Sequence, residues 1–464
     1  MIKTKNIEKH SDDIHDNVNT IPYDVIPERI EFIKKLLDGN TLKSMIDFDT
    51  CDTEYVEKKS SNDICNVMGK QFIMKFDKQI HELGGKIQYI KSGSSGHTFK
   101  GTTYDKDGKT ELYNYAIKVV AYPLETYGNI NDIKRPENAE LMMLRVLANL
   151  VVNSQTPHVV LPIGTFNTNI KDFIKASKQK CIEEKKYKQF INRYHQMEFH
   201  DKVSVLISEW ANGGDLLEYL KSNYKTMKFI DWVVIFFQII CVLSVIQNKY
   251  PAFRHNDLKA NNILVQKIDV LKDENNNISK YNYFKYEVNL DGQNYIYKVL
   301  NTGIQIKLWD FDFACIPGIV DNEKVNADWT KKINVKPEQN RYYDIHYFFN
   351  TLTKKGFFPE FWNASEIHPR IKQFIKDIIP DKYSKTDKNI VSDRGRLLVN
   401  VEYTNPKDIL IHHKLFNCLR SHKQRVTEQF IPENIKQLET VSDRGHQTNS
   451  TQKPMIIKLH SNKQ

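Results

Sequence analysis

The stretch that most constrains how this chain can fold is a short polar loop followed by an apolar strand, FRHNDLKANNIL at residues 253–264. It places Asp257, Lys259 and Asn262 in one loop. Phosphoryl transfer from a nucleotide requires this set: a carboxylate accepts the proton of the attacking hydroxyl, an ammonium stabilises the γ-phosphate, and an amide oxygen helps to hold a metal ion. The loop therefore predicts the catalytic centre of a phosphotransferase.

A second acidic motif lies downstream, in IKLWDFDFA at residues 306–314. Asp310 ends a predicted strand there, where its carboxylate can bind Mg²⁺, or Mn²⁺ in its place. Asn262 and Asp310 are therefore the predicted metal ligands. Neither motif alone defines such a site. Their order, behind a glycine-containing turn and a lysine-bearing strand, indicates one composite site.

Residues 86–122 alternate apolar and polar side chains around an Asp-Gly pair at 107–108, which predicts strands joined by a two-residue hairpin turn. Gly93 and Gly96 lie between the first two strands, where backbone N–H groups can approach phosphate oxygens. A plain glycine turn accounts for this pair equally well. Lys118, in Ala-Ile-Lys on the third strand, lies between apolar residues, so it needs an anionic partner or must extend to solvent.

Several acidic residues at predicted helix starts have more than one interpretation. Glu140 is the candidate partner of Lys118, because apolar residues follow it at core spacing; Glu137 is the rival, and a solvated acidic face is the third interpretation. Asp215 either caps the helix LLEYLKS or reaches a ribose hydroxyl. Asp344 either caps an apolar helix or accepts backbone N–H bonds from a neighbouring loop.

Composition argues against several other classes of protein. The most apolar run, residues 232–246, is shorter than a bilayer span and contains Gln238, so it predicts a buried core helix and no transmembrane segment. The N-terminus lacks the apolar region of a secretory signal. The net charge of +10 is dispersed, and no basic-aromatic motif indicates nucleic acid. Six cysteines without CxxC or Cys/His spacing favour reduced thiols. An intracellular, soluble protein is expected.

Periodicity divides the chain into three parts. Residues 1–84 form an N-terminal extension that is partly helical, and residues 85–420 form the catalytic domain. Two insertions interrupt that domain, a Lys-rich, helical one near 168–202 and one near 267–305 that contains an Asp-Gly hairpin signal. Residues 421–464 are polar and aperiodic, which predicts a flexible tail.

The order of these motifs resembles the protein kinase superfamily across residues 86–418. The resemblance implies an α+β, bilobal protein-kinase-like fold. In that fold a small N-terminal lobe, an antiparallel β-sheet with one helix, precedes a larger, mainly helical C-terminal lobe. It also implies ATP as cofactor and protein serine or threonine hydroxyls as acceptors, since Lys259 resembles serine/threonine kinases more than tyrosine kinases. Dual specificity stays open.

The resemblance further assigns the nucleotide site. Ser208 falls at the gatekeeper position, and Glu209 and Ala211 fall at the hinge, whose backbone meets adenine. Ala116 and Leu264 match the residues on either side of the adenine ring. The full set of positions that match the family's nucleotide site is Gly93, Ser94, Ser95, Gly96, Thr98, Ala116, Lys118, Glu140, Glu209, Ala211, Asp215 and Leu264.

Within the superfamily, the chain resembles the poxvirus virion-assembly serine/threonine kinase and its giant-virus relatives. The shared features are DFDFA in place of DFG, a hairpin insertion before it, a short activation segment, and the run RYYDIHYFF. This resemblance implies a location in the virion or in the host-cell cytoplasm.

Three departures from the kinase pattern have consequences. Asn256 replaces the arginine that usually precedes the catalytic aspartate. This position therefore has no cation to bind a phosphate on the activation loop, and we expect an activation segment that needs no phosphorylation. Lys91 stands where the first glycine of the phosphate-covering loop falls. Asp312 replaces a glycine, which makes the loop rigid, adds a ligand for Mg²⁺ or weakens catalysis.

Two alternative functions share some of these features. A small-molecule kinase of the choline or aminoglycoside type also uses HND and DFD, but Lys259, the segment EWANGGDLLEYL and the closing TNPKDILIHHKLF argue against it. A pseudokinase scaffold would retain the fold without activity. Every residue that the chemistry requires is nevertheless present.

Overall fold

The computed structural model describes residues 26–48, 61–68, 70, 74–84, 86–93, 96–105, 107–178, 182, 184–270, 272, 282–384 and 389–432. Ser94 and Ser95 of the predicted phosphate-covering loop, and residues 433–464 of the predicted tail, lie outside these ranges. The described chain is a mixed helix and sheet structure with an antiparallel sheet in its N-terminal region.

In the described residues, three helices precede the sheet: α1 (Ile26–Leu37), α2 (Ile64–Met68) and α3 (Phe76–Glu82). The apolar periodicity of IPERIEFIKKLL predicts a helix over residues 26–37, and α1 has these bounds, with a proline in its first turn. Its apolar face is buried in the main core, and one charged residue, Arg29, is fully buried on the same face. The described part of the N-terminal extension around α1 is therefore packed as part of the core.

The sheet has five strands, β1 (Lys86–Ser92), β2 (His97–Tyr104), β3 (Glu111–Pro123), β4 (Pro162–Asn169) and β5 (Phe199–Glu209). They are antiparallel in the order β1-β2-β3-β5-β4. The predicted two-residue turn at 107–108 is wrong, because β2 and β3 are joined by a longer loop. The backbone N–H of Asp105 donates to Thr110 O at 2.9 Å, which closes the wider loop.

The apolar spacing of PENAELMMLRVLANL predicts a helix over residues 136–150. Helix α4 (Pro136–Val152), which lies between β3 and β4 in the chain, extends two residues further. The apolar run HVVLPIGTF predicts a strand over residues 158–166, but β4 begins and ends later, at Pro162 and Asn169. Helices α5 (Ile170–Lys178) and α6 (Lys185–His195) then connect β4 to β5, so the first predicted insertion is helical.

The C-terminal region is mostly helical, with two small two-stranded sheets. Helices α7 (Leu216–Asn223) and α8 (Phe229–Lys249) precede the predicted catalytic loop, which spans residues 250–262. Strand β6 (Ile263–Lys267) follows this loop. Strands β7 (Tyr283–Leu290) and β8 (Gln293–Leu300) form the predicted hairpin, and both turn residues, Asp291 and Gly292, have positive φ. Strand β9 (Ile304–Leu308) pairs with β6.

Among the described residues, α8 is the one helix whose length and composition match a membrane span. All of its residues from 232 to 247 are nevertheless buried inside the protein. Because the apolar side chains have protein neighbours on all sides of the helix, burial in the core accounts for its hydrophobic sequence.

Among the described residues, six further helices and three 3₁₀ segments complete the C-terminal region. The helices are α9 (Glu323–Asn326), α10 (Asp328–Lys331), α11 (Tyr343–Leu352), α12 (Pro369–Ile378), α13 (Asp381–Ser384) and α14 (Pro406–His412), and the 3₁₀ segments are Pro359–Trp362, Lys414–Leu419 and His422–Gln424. One continuous apolar core extends from α1 through the sheet to this region. The catalytic loop and β9 lie where these parts meet.

Candidate catalytic site

The side chains of the catalytic loop form one hydrogen-bonded group around Asp257. Its Oδ2 accepts from Lys259 Nζ at 2.8 Å and from Asn262 Nδ2 at 3.0 Å. The same amide of Asn262 donates to the backbone O of Asp257 at 2.9 Å, within a short 3₁₀ turn, Ala260–Asn262. Of the three residues that the sequence pattern selected, Lys259 and Asn262 therefore both contact Asp257.

The backbone of this loop is held by Asp344, at the start of α11. Its carboxylate accepts from the backbone N–H groups of His255 at 2.7 Å and Asn256 at 2.9 Å. The N-cap position of α11 is Tyr342. Of the two interpretations of Asp344, the structure therefore has the one in which it binds the neighbouring loop.

Lys118 on β3 lies between two carboxylates. Its Nζ is 2.6 Å from Glu140 Oε1 on α4 and 3.0 Å from Asp310 Oδ1 after β9. The rival acid, Glu137, binds Arg135 instead, at 2.9 Å. Burial disfavours the charged ammonium, but the carboxylates of Asp310 and Glu140 outweigh this effect and raise the pKa of Lys118. The lysine is therefore charged at neutral pH.

The glycine turn lies beside this lysine. The backbone N–H of Gly93 donates to Gly96 O at 2.7 Å, and a Cβ on Gly96 would be 2.6 Å from Val119 O. Gly96 is therefore required by the close approach of β3. Thr98 on β2 pairs in register with Lys118. The turn and the lysine thus lie at neighbouring positions of one sheet.

The residues predicted to surround adenine lie on β3, on β6 and just beyond β5. Ala116 pairs with Ser208 across β3 and β5, and Ala211 is buried just beyond β5. Leu264 on β6 is bridged to Asp215. Ala116 and Leu264 are both partly exposed, so each has a face that is free to contact a ligand.

Asp215 caps α7, because its side chain accepts from the backbone N–H of Glu218 at 3.1 Å. Its other oxygen, Oδ2, is 3.8 Å from the ammonium of Lys91. The capping interpretation is therefore correct, while the ribose contact stays a prediction.

Glu209 has a role that the sequence did not indicate. Its carboxylate is buried and binds Arg29 Nε at 3.0 Å, Lys307 Nζ at 3.0 Å and the backbone N–H of Leu161 at 2.7 Å. Burial alone would raise its pKa, but the charges of Arg29 and Lys307 lower the pKa to about 2. Its side chain is committed to this cluster, so contact with a nucleotide is left to its backbone.

The segment after Asp310 is held by contacts at several points. The carboxylate of Asp312 pairs with Lys324 Nζ. The amide of Asn256 donates to Phe313 O at 3.1 Å and to Lys336 O at 3.4 Å. Of the three interpretations of Asp312, this geometry favours the rigid loop, because its carboxylate already has a cationic partner.

A cavity of about 420 Å³ adjoins this group on the side of α4 and α6. Its lining includes Gly93, Gly96, Glu137, Glu140, Asp312 and Lys324. It therefore lies at the end of the site where phosphates were predicted, and not between Ala116 and Leu264.

Asn262 and Asp310 fit a divalent cation that is shared with a nucleotide. The amide nitrogen of Asn262 donates to Asp257. The amide oxygen of Asn262, Oδ1, therefore points away from Asp257 and can accept another partner. Mg²⁺ is commonly held by one or two protein oxygens together with phosphates and water. In the described part of the chain, no group of three or more His, Cys, Asp or Glu side chains could hold a metal. A site completed by phosphate oxygens fits this donor set.

One contact at the site carried no signal in the sequence. The guanidinium of Arg396 contacts Asp257 Oδ1. It comes from a turn more than a hundred residues downstream, in the plain polar stretch VSDRGR. A sequence pattern records spacing within a motif, so a partner supplied by a distant turn was missed.

An aspartate bound by a lysine and an asparagine amide, a charged lysine between two carboxylates and a glycine turn form the kind of group that a nucleotide-dependent phosphotransferase requires. Comparison with known proteins specifies the class. The family model described as "Poxvirus serine/threonine protein kinase" matches residues 213–418. The chain is 45% identical over 397 residues to the "Putative serine/threonine-protein kinase R400" of Acanthamoeba polyphaga mimivirus, covering 84% of this chain and 80% of that protein. This chain belongs to that family of viral serine/threonine protein kinases.

More distant relatives carry similar names. A second mimivirus protein, "Putative serine/threonine-protein kinase R301", is 25% identical over 266 residues, which cover 50% of this chain and 62% of that protein. "Serine/threonine-protein kinase 2" of vaccinia virus (strain Western Reserve) is 29% identical over 201 residues, which cover 43% and 35%. Membership of the family implies the use of ATP and, typically, of a divalent metal ion.

Replacing Lys118 by methionine is expected to lower kcat/KM for ATP by about 10- to 100-fold, the range for loss of a charged hydrogen bond. The substitution removes the ammonium from Glu140 and Asp310 and from any phosphate that binds between them. Initial rates over a range of ATP concentrations measure the effect, with Lys109→Met, in the exposed β2–β3 loop, as control. Unchanged kinetics would transfer the phosphate contact to another lysine.

Proposed function

We propose that this kinase transfers the γ-phosphate of Mg-ATP to serine and threonine hydroxyls of proteins, with Asp257 as the catalytic base. The observation that carries the proposal is the connected group of side chains. Asp257 contacts Lys259 and Asn262, while Lys118 contacts Asp310 and Glu140. These are the positions that phosphoryl transfer requires, and they come from separate segments of the chain.

Asp257 orients the acceptor hydroxyl and takes its proton, a role typically worth about 10²–10⁴ in rate. Lys259, 2.8 Å from this carboxylate, lies where its ammonium can bind the transferred phosphoryl group. Asn262 and Asp310 hold Mg²⁺, or Mn²⁺ in its place. When bound, the ion neutralises charge on the phosphoryl oxygens.

The nucleotide lies between the sheet and the helical region, which we assign as the small and large lobes of a bilobal domain spanning residues 85–420. Lys118 and the backbone of the glycine turn bind the phosphates. Ala116 and Leu264 pack on the two faces of adenine, and the hinge backbone at 209–211 bonds its edge. Asp215 binds the ribose, in competition with Lys91 at 3.8 Å.

We further propose that the activation segment is active without phosphorylation. Between residues 311 and 341 the sequence has one hydroxyl side chain, Thr330. It is fully buried, and its Oγ1 donates to Ala327 O at 2.6 Å. The contacts that order the segment come instead from Asp312 with Lys324 and from the amide of Asn256.

Treatment with a broad-specificity phosphatase, followed by its removal, is therefore expected to leave the kinase activity within about two-fold of the untreated protein. The physical reason is that the ordering contacts are made by unmodified side chains. The same treatment of a kinase that requires activation-loop phosphate is the positive control. A large loss of activity in this protein would contradict the role assigned to Asn256.

The reaction is tested with purified protein, γ-labelled ATP, Mg²⁺ or Mn²⁺, and basic and acidic protein acceptors. Label on serine or threonine that is lost in Asp310→Ala is the expected result. If no protein is labelled while ATP still binds, the small-molecule kinase or the pseudokinase scaffold becomes the better assignment. Transfer to a choline or aminoglycoside acceptor would then separate those two.

The named relatives are mimivirus and poxvirus proteins. We propose that this kinase acts in the virion or in the host-cell cytoplasm. Detection of the chain by mass spectrometry in purified particles, compared with infected-cell extract, distinguishes the two locations.

A further inference from the structure

Arg396 binds the predicted catalytic base but belongs to none of the catalytic motifs. Its Nη2 contacts Asp257 Oδ1, and its Nη1 donates to the backbone O of Asn256 and to the hydroxyl of Tyr343, the latter at 3.0 Å. The guanidinium also lies 4.0 Å from the centre of the Tyr347 ring. Each end of this cation therefore has a partner, which defines one orientation for it.

The turn that carries Arg396 is itself held in place. Its closing hydrogen bonds run from Ser392 N to Arg396 O at 2.9 Å and from Gly395 N to Ser392 O at 2.8 Å. Helix α11 anchors it through Asn350 Nδ2, 3.1 Å from Gly395 O, and Thr351 Oγ1, 3.1 Å from Arg394 O.

Gly395 also makes the position of the turn specific. Its φ is +84°, and a Cβ there would be 3.1 Å from Thr351 N. A larger residue would strain the backbone and press on α11. The turn that carries Arg396 therefore has a fixed position relative to α11.

The fixed position of Arg396 matters because the carboxylate of Asp257 can otherwise rotate. Lys259 and Asn262 both bind Oδ2, while the terminal torsion of an aspartate has a broad energy minimum. Arg396 is the side chain that binds Oδ1. A carboxylate oxygen accepts two hydrogen bonds, so Oδ1 keeps a lone pair for the acceptor hydroxyl.

We propose that Arg396 is a positioning residue for phosphoryl transfer, which orients the carboxylate of Asp257 toward the acceptor hydroxyl. The proposal rests on the role of Asp257 in the proposed function. Helix α11 then positions both the backbone and the side chain at Asp257. Asp344 binds the backbone of the loop, while Tyr343 and Tyr347 contact Arg396, which orients the carboxylate.

The test compares Arg396→Met and Arg396→Lys with the wild type in two reactions, transfer to a protein acceptor and hydrolysis of ATP, in which water is the acceptor. Because a misplaced catalytic group can cost about 10²-fold in rate, Arg396→Met is expected to lower kcat by about 10- to 100-fold. The KM for ATP is expected to stay within about three-fold. Arg396→Lys, which retains the charge, is expected to recover part of the rate.

Arg394→Met, on the same turn with an exposed side chain, is the matched control and is expected to retain the wild-type rate. Melting curves establish that each variant is folded at the assay temperature. Arg396→Gln, which keeps amide donors, replaces the methionine variant if that one is unfolded.

A double-mutant cycle separates positioning from general support of the fold. If Arg396 acts through Asp257, then R396M added to D257N lowers kcat no further. Two independent losses, or an unchanged kcat in R396M, would overturn the proposal. A rise in rate would also overturn it, since Arg396 would then block the hydroxyl. These outcomes are distinct from failure of the proposed function, in which D257N and the wild type would be equally active.

Discussion

Asp257→Asn is expected to lower the rate of phosphoryl transfer by about 10²–10⁴-fold and to leave the affinity for ATP within a few-fold. Asparagine has nearly the same shape as aspartate, but it cannot accept the proton of the hydroxyl. It also lacks the negative charge that Lys259 and Arg396 bind. The predicted nucleotide contacts of Lys118, Ala116 and the glycine turn lie on other segments, so binding is expected to persist.

Single-turnover transfer and equilibrium ATP binding, measured on the same preparation, separate the two effects. Asp393→Asn is the matched control, because Asp393 is an exposed aspartate on the turn that carries Arg396. Full activity of D257N would show that another group accepts the proton. A loss of ATP binding equal to the loss of rate would instead indicate a collapsed site.

Arg29→Ala is expected to lower the free energy of unfolding by about 3–5 kcal/mol, the range measured when one partner of a buried ion pair is removed. Arg29 is fully buried and binds Glu209 through two nitrogens. Its other hydrogen bonds go to the backbone O of Pro157 at 2.7 Å and of Val159 at 2.6 Å. In the variant, each of these acceptors loses the hydrogen bond that Arg29 donates.

The cluster joins three parts of the protein. Arg29 comes from α1, Glu209 from the end of β5, and Lys307, 3.0 Å from Glu209, from β9 next to Asp310. Its loss therefore weakens the contact between the N-terminal extension and the strands that carry the site. We expect a reduced kcat even at temperatures where the variant is still folded.

Thermal unfolding measures the first effect, as a fall in melting temperature on the order of 10 °C. Lys35→Ala on the same helix is the control, because Lys35 is exposed and its pair with Glu31 is on the surface, where such pairs contribute about 0–1 kcal/mol. A shift for R29A no larger than that of the control would mean that α1 docks without this cluster.

The catalytic motifs could be predicted because their residues are close in the chain. Asp257, Lys259 and Asn262 occupy one loop, so their mutual contacts follow from the loop alone. The pairing of Lys118 with Glu140 needed one more step, since apolar spacing selected the face of α4 that turns inward. The hairpin at Asp291-Gly292 followed from turn chemistry.

The errors and omissions have two physical origins, one local and one distant in the chain. The loop between β2 and β3 is wider than its Asp-Gly pair predicts, because a backbone hydrogen bond between Asp105 and Thr110 closes it further out. The burial of Arg29 could have been predicted from the sequence, since this residue occupies the apolar face of the amphipathic helix α1. Its partner, Glu209, lies 180 residues away and could not be predicted.

By itself the sequence determined which carboxylate, lysine and amide lie together in this kinase, and in what order the elements follow. These are consequences of local spacing and periodicity. Only the tertiary structure decided how that chemistry is held, by Arg396 on Asp257 and by Arg29 and Lys307 on Glu209. Such buried ion pairs depend on where distant segments meet, and the charge of a lone arginine or lysine does not specify which carboxylate it will bind.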